Sequence, residues 1–193
     1  YIVTARHAAE KHDVTTGTII EKQIRILTTD LHELTADLVG DSAFMDVVVY
    51  RVIEAQRAKL LATAAFASGD VQPGQTVFTV GYPMGWGPTM SFGHLGNTNT
   101  FLQTVDTRLI QADVAACSGN SGGGLFNDKG DVVGIMHAII QTERDDSTAH
   151  CSRMAFAIPA LLAERIVKAA IDGKPMTFSK MGIHMMAVKD GTK

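Results

Sequence analysis

Residues 119–130 read Gly119-Asn120-Ser121-Gly122-Gly123-Gly124-Leu125-Phe126-Asn127-Asp128-Lys129-Gly130. A phosphate-binding loop needs Lys followed by Ser or Thr after its last glycine, and Leu125-Phe126 stands there instead. The Gly119-x-Ser121-x-Gly123 spacing also fits a strand–turn–helix elbow that presents a nucleophilic serine. Such an elbow must open a helix, and three glycines followed by Asn-Asp-Lys-Gly make a poor helix start. What remains is a serine in a glycine-rich loop between extended segments, either a plain flexible turn or a place where backbone N–H groups converge on one point.

Working outward, the flanking sequence is strand-like. Tyr1–Ala5 is short and apolar, Gln23–Thr28 alternates polar with apolar, and Leu34–Val39 alternates more weakly. Val47–Ile53 (V-V-V-Y-R-V-I) is nearly continuous, as in a strand covered on both faces. The alanines of Gln56–Ala67 suggest a helix, but the Ser68-Gly69-Asp70 and Gln72-Pro73-Gly74 breakers favour a loop leading to a strand at Thr76–Gly81. Gly81–Gly96, dense in Gly and Pro, reads as the crossover between two halves. Strands are expected again at Arg108–Asp113, Val132–Ile140 and Met154–Ile158. After Pro159, Leu162, Ile166 and Ala170 form a helical stripe that Gly173 stops. Many short strands with one late helix predict an all-β protein of two antiparallel barrels rather than alternating βαβ units.

Composition narrows the function classes. The 193 residues, 46% hydrophobic and 19% charged, can bury a substantial core and exclude a disordered or fibrous chain. Seventeen Lys and Arg against 20 Asp and Glu give a net charge of −3, so nothing basic points to nucleic acid or anionic lipid. No apolar run reaches the roughly 18–20 residues of a membrane span. The chain opens Tyr1-Ile2-Val3-Thr4, without initiator Met or visible targeting signal, and reads as a fragment or processed chain. Two cysteines, Cys117 and Cys151, are too few for a disulfide scaffold and lack zinc-site spacing.

A serine hydroxyl needs a base to take its proton and donors to stabilise the oxyanion it forms. His7 follows a strand-like segment among small residues, and Asp46 immediately precedes the apolar Val47–Ile53 run. A carboxylate held at the edge of apolar packing needs a partner, and an imidazole N–H is a suitable one. His7, Asp46 and Ser121 come in the order His, Asp, Ser, one of three known chain orders for such a triad and not that of the α/β-hydrolases.

With those residues in hand the chain resembles, over nearly its whole length, the trypsin-like serine endopeptidases of the HtrA/Deg type. Ile2-Val3-Thr4-Ala5-Arg6-His7 is similar to the family's catalytic-histidine segment and Asp46-Val47-Val48-Val49 to its catalytic-aspartate strand. Gly74–Gly87 resembles the glycine-rich stretch between barrels. Ile110-Gln111-Ala112-Asp113 leads into Gly119–Gly123 as in the family, and Phe156-Ala157-Ile158-Pro159 resembles its strand-to-helix exit. The resemblance implies a chymotrypsin-like fold. A first barrel over 1–80 would lack its N-terminal hairpin, a second barrel and helix would span 81–175, and a tail over 176–193 would begin a PDZ-like domain or add an edge strand.

The resemblance also implies roles. Ser121 would be the nucleophile, His7 the general base and then acid, and Asp46 the group that sets the His7 tautomer. The N–H groups of Gly119 and Ser121 would form the oxyanion hole. Gly124 stands where the family commonly has Pro, and Asn120 replaces the Asp that in trypsins pairs with a freed N-terminus. The S1 pocket would be lined by Ala115, Ala116, Met136 and Ala155. It would have no acid for Arg or Lys and no His for Glu, favouring small or aliphatic P1 residues. His137 should face opposite to Met136, toward the triad; we take it as an ordinary strand histidine, a structural role near Asp46 being the alternative. His94, His150 and His184 show no metal-ligand spacing. The resemblance implies a Cys117–Cys151 bridge, which would favour an extracytoplasmic location. It implies protein or peptide substrates, no cofactor or metal, and allows a homo-oligomer. The rivals are a catalytically inactive peptide-binding scaffold and an α/β-hydrolase esterase.

Overall fold

The computed structural model describes residues 1–13, 17–102, 105–139 and 151–174. The first part of the chain forms β1 (Ile2–Ala5), β2 (Glu10–Asp13), β3 (Gly17–Ile20), β4 (Gln23–Leu27), β5 (Glu33–Ser42) and β6 (Val47–Val52), then one helical turn, α1 (Ala55–Ala58). The second part forms β7 (Thr76–Gly81), β8 (Thr89–Leu102), β9 (Val105–Ala112), β10 (Ala116–Cys117), β11 (Gly124–Asn127), β12 (Val132–Ile139), β13 (Cys151–Ser152) and β14 (Ala155–Pro159), closed off by helix α2 (Ala160–Ile171). The first lobe is a four-stranded antiparallel sheet in the order β1-β6-β5-β4, with β2 and β3 as a separate hairpin. The second lobe is a closed barrel in the order β11-β12-β14-β9-β8-β7. Its first strand begins at Thr76, so the second lobe starts before the Gly81–Gly96 stretch that marked the crossover in the sequence.

Strand β6 shows why the lobes stay together. Val48, Tyr50 and Val52 pack with Leu34 and Ala36 inside the first lobe. From the opposite face, Val47 joins Leu109, Ile135, Phe156, Ile158 and Ile166 of the barrel and α2, while Val49 meets Val167 and Ala170. Val47, Val48, Val49 and Tyr50 are all fully buried, as the near-continuous apolar run requires. Each such aliphatic side chain contributes about 1.5–3 kcal/mol by leaving water. Asp46 is therefore anchored at the start of the strand that forms the lobe interface.

Two segments depart from the expected reading. Gly81–Gly96 is partly the interior of β8 and not all crossover, because glycine there answers to close strand approach. A Cβ on Gly93 would overlap Asp113 Oδ1 and stand 2.9 Å from the Asp113 carbonyl. The β2–β3 hairpin, mostly exposed, has no apolar alternation to announce it. Helix α2 buries Ala160, Ala163, Ile166, Val167 and Ala170, close to the expected stripe, with Leu162 only partly buried. Among the described residues no helix is long and apolar enough to cross a membrane. The tail at 176–193, with His184, lies outside the described residues, as does His150.

Candidate active site

Strand register brings the first two candidates together. β1 and β6 pair antiparallel with Ala5 opposite Val47, so the residues just after Ala5 meet those just before Val47. Arg6 N–H donates to the Asp46 carbonyl at 2.9 Å. His7 sits on the short turn Arg6–Ala9, and its backbone N–H donates to Asp46 Oδ1 at 2.8 Å. The His7 ring places Nδ1 2.6 Å from Asp46 Oδ2. The same oxygen is 2.6 Å from Nδ1 of His137. A carboxylate only accepts, so each imidazole carries a hydrogen on Nδ1, and in its neutral form its Nε2 is unprotonated. Arg6 is spent elsewhere, paired with Glu10 and, at 2.6 Å, with Asp41.

Asp46 adopts φ +52°, a left-handed conformation that aspartate tolerates better than most residues at a cost of about 1–2 kcal/mol. Three N–H donors on its carboxylate offset that strain. Burial works to raise its pKa, but hydrogen bonds from the His137 and His7 rings and the His7 backbone hold it well below the usual carboxylate range. His7 moves the other way. Its hydrogen bond to Asp46 raises its pKa, burial opposes this, and the charges of Asp46 and Glu10 add to the rise.

The serine loop is fixed on three sides. Gly122 N–H donates to the Met136 carbonyl at 2.7 Å and Met136 N–H to the Gly123 carbonyl at 2.8 Å, which lays the loop along β12 beside His137. Met84 N–H donates to the Ser118 carbonyl at 2.7 Å from the Gly-Pro segment. Buried Asn120 accepts from Cys117 N–H through its side chain at 3.1 Å. On the first-lobe side, Gly122 (φ +82°) lies against β1. A Cβ there would overlap Thr4 Oγ1 and stand 2.6 Å from Ala5 N. Gly122, the residue after Ser121, is thus held between the strand leading to His7 and the strand carrying His137. The N–H groups of Gly119 and Ser121 donate to no described residue.

A testable consequence concerns Gly122. Gly122→Ala combines a left-handed φ with overpacking against Thr4, and is expected to lower stability by about 2–4 kcal/mol. Urea unfolding measures this, and an unchanged midpoint would contradict the packing described.

His137 is the residue that sequence alternation undervalued. In the β12–β14 pairing Met136 faces Ala157 and Ala138 faces Phe156, so His137 is the extra residue of a bulge. The bulge aims its ring at Asp46, and the His7 and His137 rings meet edge-on at 5.9 Å between centroids. Alternation from Met136 points His137 toward the triad, and the contact with Asp46 is the alternative to an ordinary strand histidine.

Of the expected pocket residues, Ala115 lines an open cavity of about 550 Å³ together with Cys151, Ser152, Arg153 and Met154. Ala116, Met136 and Ala155 are instead buried in the barrel core. Arg153 lies 3.7 Å from Asp113, both largely exposed. Cys117 and Cys151 are joined by a disulfide across the β10–β13 pair, 34 positions apart. A loop of that length restrains the unfolded chain by about 3–4 kcal/mol on the chain-entropy view.

Comparison with known proteins adds to this geometry. The profile of the trypsin-like peptidase domain matches residues 1–135. The chain is 32% identical over 171 residues to "Serine protease Do-like HtrA" of Lactococcus lactis subsp. lactis, covering 83% of this chain and 41% of that protein. It is 32% identical over 176 residues to "Probable periplasmic serine endoprotease DegP-like" of Marinomonas sp., covering 90% and 34%. Among solved structures, the HtrA-type protease AlgW with decapeptide superposes with a TM-score of 0.72 at 27% identity, covering 88% of this chain and 48% of that one. The chain therefore spans less than half the length of these relatives.

Proposed function

We propose that this chain, which belongs to the trypsin-like peptidase family and is HtrA-type within it, is a serine endopeptidase that cleaves protein or peptide substrates through an acyl-enzyme. The observation that carries the proposal is the Asp46 carboxylate on His7 Nδ1 at 2.6 Å, beside a serine loop packed onto Thr4 and Ala5. His7 Nε2 takes the proton of Ser121 Oγ as the oxygen attacks the scissile carbonyl, then returns it to the leaving amine. Asp46 keeps the ring in the tautomer that leaves Nε2 open and balances the imidazolium. The N–H groups of Gly119 and Ser121, with no acceptor among the described residues, supply the oxyanion hole, each worth on the order of 3 kcal/mol in the transition state.

Labelling with a fluorophosphonate tests this directly. The expected outcome is one adduct, on Ser121, abolished by Ser121→Ala; a folded protein that stays unlabelled would reduce the chain to a peptide-binding scaffold. The labelling rate also has a predicted pH dependence. Only neutral His7 accepts a proton, and its pKa is raised, first by the hydrogen bond to Asp46. Activity therefore falls as pH drops through a midpoint above the ordinary histidine value of about 6.5. A rate flat across that interval would remove His7 as the base.

For specificity, the proposal is a preference for small or aliphatic P1 side chains. Ala115 and Met154 give the cavity apolar walls, and its one guanidinium, on Arg153, stands close to Asp113. Cleavage of a P1-varied peptide library mainly after Arg, Lys or Glu would refute it. An extracytoplasmic location is proposed from the Cys117–Cys151 disulfide and the periplasmic naming of the Marinomonas relative.

A further inference from the structure

We propose that His7, Asp46 and His137 together form a binding site for a zinc-type divalent cation, and that the bound cation switches the peptidase off. One nitrogen from each imidazole and one carboxylate oxygen lie within 4.8 Å of one another, the only such grouping among the described residues. Two imidazoles and a carboxylate are the donor set that zinc, cobalt and their neighbours prefer over calcium or magnesium.

The geometry is close to what a cation needs but not identical. Both Nδ1 atoms are 2.6 Å from Asp46 Oδ2. Metal bonds of about 2.0–2.1 Å would spread each nitrogen–oxygen pair to roughly 3.3 Å in a tetrahedral shell. Asp46 and His137 are mostly buried, with side chains 14% and 13% exposed, and are held by the lobe interface and the β12 bulge. His7, with its side chain 42% exposed on a short turn, is the ligand free to shift. His7 is thus the most adjustable ligand, the Asp46–His137 pair would open by side-chain rotation, and water would supply the fourth.

Proton bookkeeping makes the cation an inhibitor. With both rings neutral, each Nδ1 hydrogen gives way to the metal and reappears on Nε2 of the same ring, with no net release. His7 then presents Nε2–H toward the serine loop and can no longer accept a proton. Binding rests on three side chains alone; inhibition rests on the peptidase reading above.

The test uses Co²⁺ alone on the full chain carrying Ser121→Ala. The expected result is the visible absorption of imidazole-ligated cobalt, saturating near one ion per chain and displaced by Zn²⁺. Adding His137→Asn, which keeps an N–H for Asp46 but loses the imidazole, should weaken cobalt binding by more than about tenfold. His7→Ala, at an exposed position, should do the same, with unfolding midpoints verifying that each variant folds. In the active chain Zn²⁺ should block fluorophosphonate labelling, and a chelator should restore it. Cobalt bound equally by both variants, or not at all, overturns the proposal. Histidine-dependent cobalt binding in a chain that never labels would keep the metal site and remove the peptidase. Labelling without cobalt uptake would do the reverse.

Discussion

Ser121→Ala is expected to lower kcat for a peptide substrate by on the order of 10⁶, to the residual level that binding and oxyanion donors alone support. The substitution removes one oxygen and leaves the scaffold untouched. The loop is held by backbone bonds of Gly122 and Gly123 to Met136 and by the Asn120 side chain, none involving the Ser121 hydroxyl. The N–H of Ser121 also survives. The variant should therefore unfold at the wild-type denaturant concentration while KM stays near its original value. That split matters, because a packing role for the hydroxyl would move stability and leave kcat largely intact. Measured on protein free of wild-type contamination, a loss smaller than about 10²-fold would mean that another group attacks the carbonyl.

Much of this site was legible in the sequence, because register in an antiparallel pair is a local matter. Once Ile2–Ala5 and Val47–Val52 are strands that pair, His7 and Asp46 must meet at their shared end. The lobe interface was legible too, since a strand apolar at every position but Arg51 has to be covered on both faces. The features that escaped depend on tertiary detail. Gly93 lies within a strand because the Asp113 backbone comes too close for a Cβ, yet in the sequence the same letter signals a turn. Alternation gives the side on which His137 lies, but the bulge that carries it there is set by the mismatch between β12 and β14. Of the residues expected to line the pocket, Ala115 borders an open cavity, while Met136 and Ala155 are buried in the barrel core.

Asp46→Asn is expected to lower kcat by about 10⁴ at neutral pH without unfolding the protein. Asparagine is the other residue at home in the left-handed region that Asp46 occupies, so the backbone at φ +52° is preserved. What changes is the sign of the two contacts at Oδ2. The carboxylate accepts from His7 Nδ1, His7 N and His137 Nδ1 at once, and an amide has only one accepting oxygen for those three donors. The His7 backbone N–H can only donate, so the amide oxygen stays at the Oδ1 position and the NH₂ takes the Oδ2 position, where it faces both imidazole Nδ1 atoms. His7 Nδ1 then becomes an acceptor, the hydrogen moves to Nε2, and the base is blocked toward Ser121. The pH profile separates this from simple loss of charge. The hydrogen bond and charge of Asp46 raise the pKa of His7, so removing them moves the acid limb to lower pH while the plateau falls. An Asp46→Asn enzyme with full activity and an unmoved acid limb would show that the carboxylate only braces the lobe interface and takes no part in the chemistry.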